Sequence, residues 1–251
     1  MPNRLQNKVC LVTGAGSGLG KATAIRFANE GATVISATRN KISSEDMLNV
    51  KLDVTSENDW IQAIDKIKQQ FSRLDVLINN AGIGMSGPIV SFSLENWRRI
   101  MAVNLDGVFL GIKHALPLMA QQGGSIVNIA SIDGINGVPN ASAYCASKAG
   151  VCALSKAVAL ECAEAGIPVR VNTFCPGSFH SPMVEKGEGW QEQIKKPGGE
   201  EQAKNARAQY IPFRRLASYD ELINGILFLA SDESSYMTGS ELIIDGGVTA
   251  R

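Results

Sequence analysis

A short apolar run, Val9-Cys10-Leu11-Val12, leads directly into Thr13-Gly14-Ala15-Gly16-Ser17-Gly18-Leu19-Gly20, and residues 21–29 then carry helical periodicity that stops at Gly31. A buried strand, a glycine-rich turn and a helix in that order form a βα unit built to bring backbone N–H groups close to a ligand. The spacing is Gly-x-x-x-Gly-x-Gly, at Gly14, Gly18 and Gly20, which departs from the strict Gly-x-Gly-x-x-Gly dinucleotide fingerprint. Its position between strand and helix still favours a pyrophosphate held at a helix N-terminus.

The remainder of the chain repeats that rhythm. Apolar runs at 33–35, 50–52, 76–78, 125–129, 169–172 and 242–244 read as strands. Helical patterns at 59–71, 94–119, 144–163 and 219–230 fall between them. Strands alternating with helices imply βαβ units and a parallel sheet, hence an α/β fold. Residues 40–49 are too few and too polar for a full crossover helix. Residues 185–207, rich in Lys, Glu, Gln and Gly, lack a sustained apolar face; they read either as a solvated insertion or as a lid over the substrate.

Composition excludes several classes. With 251 residues, 45% of them hydrophobic, the chain can bury a large core in one domain, and no linker divides it. Lys plus Arg and Asp plus Glu balance at 24 each, which gives no electrostatic case for nucleic acid or an anionic membrane. Five cysteines without a Cys-x-x-Cys pair suggest neither a disulfide framework nor a zinc site. No secretory signal pattern opens the chain and no stretch is long enough to span a membrane, so a cytoplasmic setting is expected.

Three further residues suggest a reaction. Ser131 follows the strand at 125–129, and Tyr144 and Lys148 stand four apart on one helical face. Reducing a ketone requires a proton at oxygen as hydride reaches carbon. A phenol, ordinarily with a pKa near 10, is a sluggish donor at neutral pH, and a nearby ammonium would lower that value. Ser131 would hold the carbonyl oxygen, although a serine there can also serve only as a cap. The second strand ends at Ala37-Thr38-Arg39-Asn40 without a carboxylate, and Arg39 can contact a 2′-phosphate, which favours NADP(H) over NAD(H).

The glycine turn, Asn79-Asn80-Ala81-Gly82, Asn104, Ser131, Tyr144-Cys145-Ala146-Ser147-Lys148 and Pro176-Gly177 together resemble the short-chain dehydrogenase/reductase family. The likeness runs from Gly14 to Asp245-Gly246-Gly247, and is strongest to bacterial (R)-specific secondary-alcohol dehydrogenases and hydroxysteroid dehydrogenases. It implies one Rossmann-like domain over residues 1–251, a doubly wound parallel sheet of about seven strands flanked by helices, with a variable substrate lid near 180–214. It also implies an enzyme interconverting a ketone and a secondary alcohol, working as a homotetramer.

By the same resemblance Lys148 would also hold the nicotinamide ribose, and Asn104 would interrupt its helix and hold a water in a proton relay. Gly14, Ser17, Gly18, Leu19 and Gly20 would cradle the cofactor phosphates. Asp53 and Val54 would meet the adenine, and Asn80, Ala81 and Gly82 would lie along the cofactor. Pro176, Gly177, Phe179 and Ser181 match a nicotinamide-contacting loop, with Phe179 and Ser181 departing from the usual aliphatic residue and threonine. The substrate pocket would draw on Ile132, Asp133, Val138, Tyr144 and residues 179–190. A C-terminal Arg251 gives no reason to expect a metal ligand, and no catalytic metal is expected.

Two rival readings remain. A 3-oxoacyl thioester reductase would want basic residues at the pocket mouth, and Lys195, Lys196 and Arg214 could serve. A dinucleotide-binding regulator would need only the glycine turn, leaving Ser131, Tyr144 and Lys148 without a purpose.

Overall fold

The computed structural model describes residues 3–39 and 47–250; most of the segment 40–49 read as too short for a crossover helix, namely 40–46, and Arg251 lie outside the described residues. Seven parallel strands form one sheet: β1 (Val9–Thr13), β2 (Thr33–Thr38), β3 (Leu48–Lys51), β4 (Val76–Asn79), β5 (Gly124–Ile129), β6 (Val169–Pro176) and β7 (Glu241–Ile244). Their spatial order is β3-β2-β1-β4-β5-β6-β7, with every pairing parallel. The direction of winding reverses between β1 and β4, so a crevice opens there at the carboxyl ends of the strands.

Helices cover both faces, which is why the inner strands read as unbroken apolar runs. On one face α2 (Glu57–Phe71), α4 (Gly107–Met119) and α5 (Ser142–Glu164) pack against Val9, Leu11, Leu77 and Ile126. On the other, α1 (Gly18–Asn29) and α9 (Tyr219–Ala230) cover Cys10, Val12, Ile78 and Val127. α2 shows how sequence sets the packing: Trp60, Ala63, Ile64 and Ile67 recur on one face and are buried, and each large one contributes about 2 kcal/mol of burial. Ser56 starts that helix by accepting the Asp59 N–H. Ser218 and Glu221 form a reciprocal capping box at α9.

The helix expected over residues 94–119 has three parts. α3 (Leu94–Met101) passes into a π-helical turn at Ala102–Asp106 and then into α4. Periodicity does not place this turn, since the segments on either side of it are too short to expose the shift of phase that one extra residue makes. Residues 185–207 also fold further than their polar composition suggested. α6 (Pro182–Glu185), α7 (Glu188–Gln193) and α8 (Gly199–Ala208) bury Trp190, Ala203 and Ala208, anchors too sparse to register as a stripe. Among the described residues, no helix is long and apolar enough to cross a membrane.

Candidate functional site

Because all strands run in parallel, the loops after β1, β2, β3, β4, β5 and β6 gather on one edge, and every expected site residue stands in or beside them. Gly14 and Gly18 adopt left-handed backbone, with φ of 66° and 55°, which a side chain would strain. Gly20 is required for a different reason. A Cβ there would lie 2.3 Å from Asn80 Nδ2 and 2.6 Å from the Gly14 carbonyl oxygen. Asn80 fixes the turn by donating from Nδ2 to the Thr13 carbonyl at 2.9 Å. Thr13 Oγ1 accepts the N–H groups of Asn80 and Ala81 at 2.9 and 3.0 Å. Thr13 therefore ties β1 to β4, a role that reading the glycines alone missed.

The turn suits a dinucleotide. Ser17 stands at the N-cap of α1 yet makes no side-chain capping bond, and no acidic residue occupies the first turn. The N-terminal N–H groups and their partial positive charge thus face an anion without an internal competitor. Leu19 is buried beneath them. Arg39 is exposed just past β2, and a Cβ at Gly16 would stand 3.4 Å from the neighbouring Thr38 methyl. Asp53 accepts the N–H and hydroxyl of Thr55 at 3.0 and 2.8 Å, while Val54 is buried against the start of α4.

The loop after β6 folds back over this turn. Gly177 is pressed against Asp245, whose Cα would be 2.5 Å from an added Cβ, and its N–H donates to Ile244 at 2.8 Å. The Phe179 ring packs edge-on against Tyr219, centroids 5.8 Å apart. Ser181 is buried and accepts the Val184 N–H at the start of α6. Pro182 then lies 3.4 Å from the Cβ position of Gly18, so α6 sits across the glycine turn.

Ser131, Tyr144, Lys148 and Asn104 come together beside that loop. Ser131 Oγ accepts the Asp133 N–H at 3.1 Å, as the cap of the 3-10 turn Ile132–Gly134, and its side chain favours ionisation of the Tyr144 phenol. Capping uses a lone pair and leaves the serine proton free. Lys148 is buried; its Nζ donates to the Ile129 carbonyl at 2.8 Å and lies 5.7 Å from the Tyr144 ring centroid. Asn104 is fully buried in the π-helical turn. Its Oδ1 accepts the Ile83 N–H at 2.9 Å, and Nδ2 donates to the Ile83 carbonyl at 3.0 Å and Ser147 Oγ at 3.1 Å. Both Nδ2 protons are thereby committed, leaving an Oδ1 lone pair and the loosened backbone of the π-helical turn to meet a water. Gly82 sits where a Cβ would be 3.4 Å from Asn104 Oδ1 and 3.6 Å from Lys148 Nζ.

The electrostatic balance differs from the expected one. Burial dominates at Tyr144 and raises its phenol above the ordinary value, with the Asp133 charge adding to the rise and the Ser131 hydrogen bond opposing it. Burial also lowers Lys148, to about 8. Desolvation thus sets the direction at the phenol; Lys148 Nζ is turned toward the Ile129 carbonyl, and Ser131 is the protein group that favours ionisation.

Two clusters escaped sequence reasoning. Asn79 Nδ2 donates to Asn128 Oδ1 at 2.8 Å and Asn128 Nδ2 to Ser155 Oγ at 2.9 Å, a buried chain joining β4, β5 and α5. Asparagines inside apolar strands were the available signal. Cys152, Cys175 and Glu241 place their ligand atoms within 4.8 Å of one another, and Glu241 pairs with Lys156. Spacing along the chain cannot show such a grouping.

The protein family described as enoyl-(acyl carrier protein) reductase matches residues 14–249. A 3-oxoacyl-[acyl-carrier-protein] reductase of Thermotoga maritima is 40% identical over 257 residues, covering 98% of this chain and 99% of its own. An NADP-dependent (R)-specific alcohol dehydrogenase of Lentilactobacillus kefiri is 35% identical, with full coverage of both chains. The ligand-free structure of Thermoplasma acidophilum aldohexose dehydrogenase superposes with a TM-score of 0.93 at 35% identity, covering 100% of this chain and 97% of that one. With the parallel sheet, the glycine turn and the Ser131–Tyr144–Lys148 grouping, these similarities establish that the chain belongs to the short-chain dehydrogenase/reductase family.

Proposed function

We propose that the protein is a nicotinamide-dependent oxidoreductase interconverting a secondary alcohol and a ketone, with Tyr144 as its acid–base group. The observation that carries this reading is the gathering of Ser131, Tyr144 and buried Lys148, with Lys148 Nζ 5.7 Å from the Tyr144 ring centroid, next to a turn suited to a dinucleotide. A bound nicotinamide dinucleotide supplies the hydride donor or acceptor. Tyr144 gives its phenolic proton to the carbonyl oxygen during reduction and takes one back during oxidation. Ser131 donates to the same oxygen, orienting it and stabilising the charge that develops there. Lys148 holds the nicotinamide ribose, and Asn104 fixes the π-helical turn against Ile83 and Ser147.

NADP(H) is preferred over NAD(H), because Arg39 is exposed at the end of β2 and no carboxylate stands there. Residues 1–251 act as one domain in which 180–214 forms the lid. The unit is a homotetramer in the cytoplasm; exposed Phe109 on α4 and Leu160 on α5 support assembly through these helices. Rates for a panel of ketones and alcohols, measured separately with NADPH and NADH, test the reading. Absence of turnover with every pair would reject it.

A second reading, reduction of 3-oxoacyl thioesters, is favoured by the 40% identical relative of that activity and by exposed Lys195, Lys196 and Arg214. Higher kcat/KM for acyl thioesters than for small ketones would select it.

A further inference from the structure

Three donor atoms meet between α5 and the far side of the sheet. Cys175 lies on β6, and Glu241 opens β7, the last strand in the spatial order. The register sets Glu241 opposite Thr173, so Glu241 and Cys175 are diagonal neighbours on one face of the sheet. α5 packs on that face and contributes Cys152. The two Sγ atoms and a Glu241 carboxylate oxygen all lie within 4.8 Å of one another. Because three separate elements supply them, the lack of a paired cysteine motif in the chain has no bearing on this grouping.

Both thiols are buried in a core that includes Val151, Val158, Ala159 and Val171. Glu241 forms the open side: its side chain is 20% exposed, and Lys156, 56% exposed, pairs with Oε1. Its second oxygen is left for another partner. Apolar packing accounts for two buried cysteines. It does not account for a carboxylate set beside them, with a lysine from the solvent side balancing only one charge.

Thiolates and a carboxylate are the donors that hold zinc, at about 2.3 Å and 2.0–2.2 Å, which in a tetrahedron places donors about 3.5–3.8 Å apart. Reaching that geometry takes an inward shift on the order of an ångström, within the compass of side-chain rotation. Charge also closes. Two thiolates and a carboxylate are offset by a divalent cation together with the Lys156 ammonium, which leaves the buried cluster neutral. Magnesium and calcium, which take oxygen donors, do not suit it.

We infer that Cys152, Cys175 and Glu241 form a site for a soft divalent cation of the zinc type, entered past Lys156, which braces α5 against β6 and β7. Cys152 follows Lys148 by one helical turn, so the brace stands behind the residues proposed to react and is independent of their substrate.

The test titrates the full-length protein, reduced and freed of metal with a chelator, with Zn2+ in competition with a chromophoric chelator. One equivalent should bind with a Kd of about a micromolar or below, more tightly as pH rises, because both thiols must lose protons. Cd2+ should produce the ultraviolet thiolate charge-transfer band, and excess Mg2+ should not compete. Cys152→Ala and Glu241→Gln should weaken Zn2+ binding by about 100-fold and 10-fold respectively. Cys145→Ser, which removes the half-buried thiol nearer the start of α5, should leave the affinity unchanged. Zn2+ should raise the melting temperature of the parent and not that of Cys152→Ala. Glu241→Gln, at the sheet edge, decides the case if the cysteine variant fails to fold. Absence of stoichiometric binding, an unshifted melt at saturating Zn2+, or an affinity unchanged in Glu241→Gln overturns the inference. So does loss of binding in Cys145→Ser, which marks an adventitious ion only.

Discussion

Lys148 Nζ donates to the Ile129 carbonyl at 2.8 Å, joining the middle of the site helix to the last residue of β5, two before Ser131. One hydrogen bond therefore fixes the distance between the strand that delivers Ser131 and the helix that delivers Tyr144. It also makes Lys148 a buried cation hydrogen-bonded, among the described residues, to a neutral carbonyl, and burial lowers its pKa to about 8.

That arrangement costs stability at neutral pH. The folded pKa lies below the ordinary 10.5, so the penalty is complete below about 8, and the folded state gains on the unfolded one as pH rises from about 8 toward 10.5. Lys148→Met should abolish turnover yet stabilise the fold at pH 7 by roughly 1–3 kcal/mol, allowing for the Ile129 carbonyl it leaves unpaired. Thermal melts of both proteins across pH 7–10.5 check this. A variant less stable at neutral pH, or an advantage that does not shrink as pH rises, would sink it.

Tyr144→Phe removes the proton donor but little packing. Turnover should fall about 10²- to 10⁴-fold with the melting temperature and dinucleotide affinity near those of the parent. Initial rates alongside a cofactor titration measure both; loss of less than tenfold would remove Tyr144 from the chemistry.

Alcohol oxidation needs the phenolate to take a proton, so its rate should climb with pH, and burial places that climb on the alkaline side. Asp133 opposes phenolate formation. Asp133→Asn should accordingly move the rising limb of kcat toward lower pH, by about half a unit to one unit. A limb that stays put, with chemistry rate-limiting in both proteins, would show that the carboxylate does not reach the phenol.

Arg39→Asp replaces a phosphate donor by an acceptor for ribose hydroxyls and should change the NADPH-to-NADH ratio of kcat/KM by about tenfold or more toward NADH. Selectivity unaltered by this exchange would make Arg39 a bystander.

Gly20→Ala puts a methyl where Asn80 Nδ2 and the Gly14 carbonyl already stand. Forced overpacking of this sort costs about 1–3 kcal/mol and should displace the turn, weakening dinucleotide binding together with the melting temperature. Normal affinity in a stable variant would contradict the close packing.

Much of this architecture was legible in the chain because parallel strands covered on both faces must be apolar along their length. Residues 9–12, 76–78 and 125–129 announced β1, β4 and β5 directly, and the glycine turn placed the first crossover. The four residues Asn104, Ser131, Tyr144 and Lys148 were legible as a set through their resemblance to a family, and the fold gathers them on one edge. What lay hidden depends on contacts between distant segments. The thiol pair of Cys152 and Cys175 and the clasp of Thr13 on Asn80 and Ala81 have no periodicity to betray them. The sign of the phenol's shift was hidden for a similar reason, since the four-residue spacing shows that an ammonium is near but not how much water is lost.

The π-helical turn at Ala102–Asp106 carries a consequence for how this chain can vary. A residue deleted from it would let an ordinary α-helical ladder close, but everything downstream in α4 would swing about 100° around the axis. Val108, Ile112, Ala115 and Met119, now set into the core, would then be aimed elsewhere. Length in these five positions is consequently locked: substitutions can be absorbed there one at a time, whereas a single-codon loss would misalign a whole helix and release the side chain that Ile83 and Ser147 hold in place.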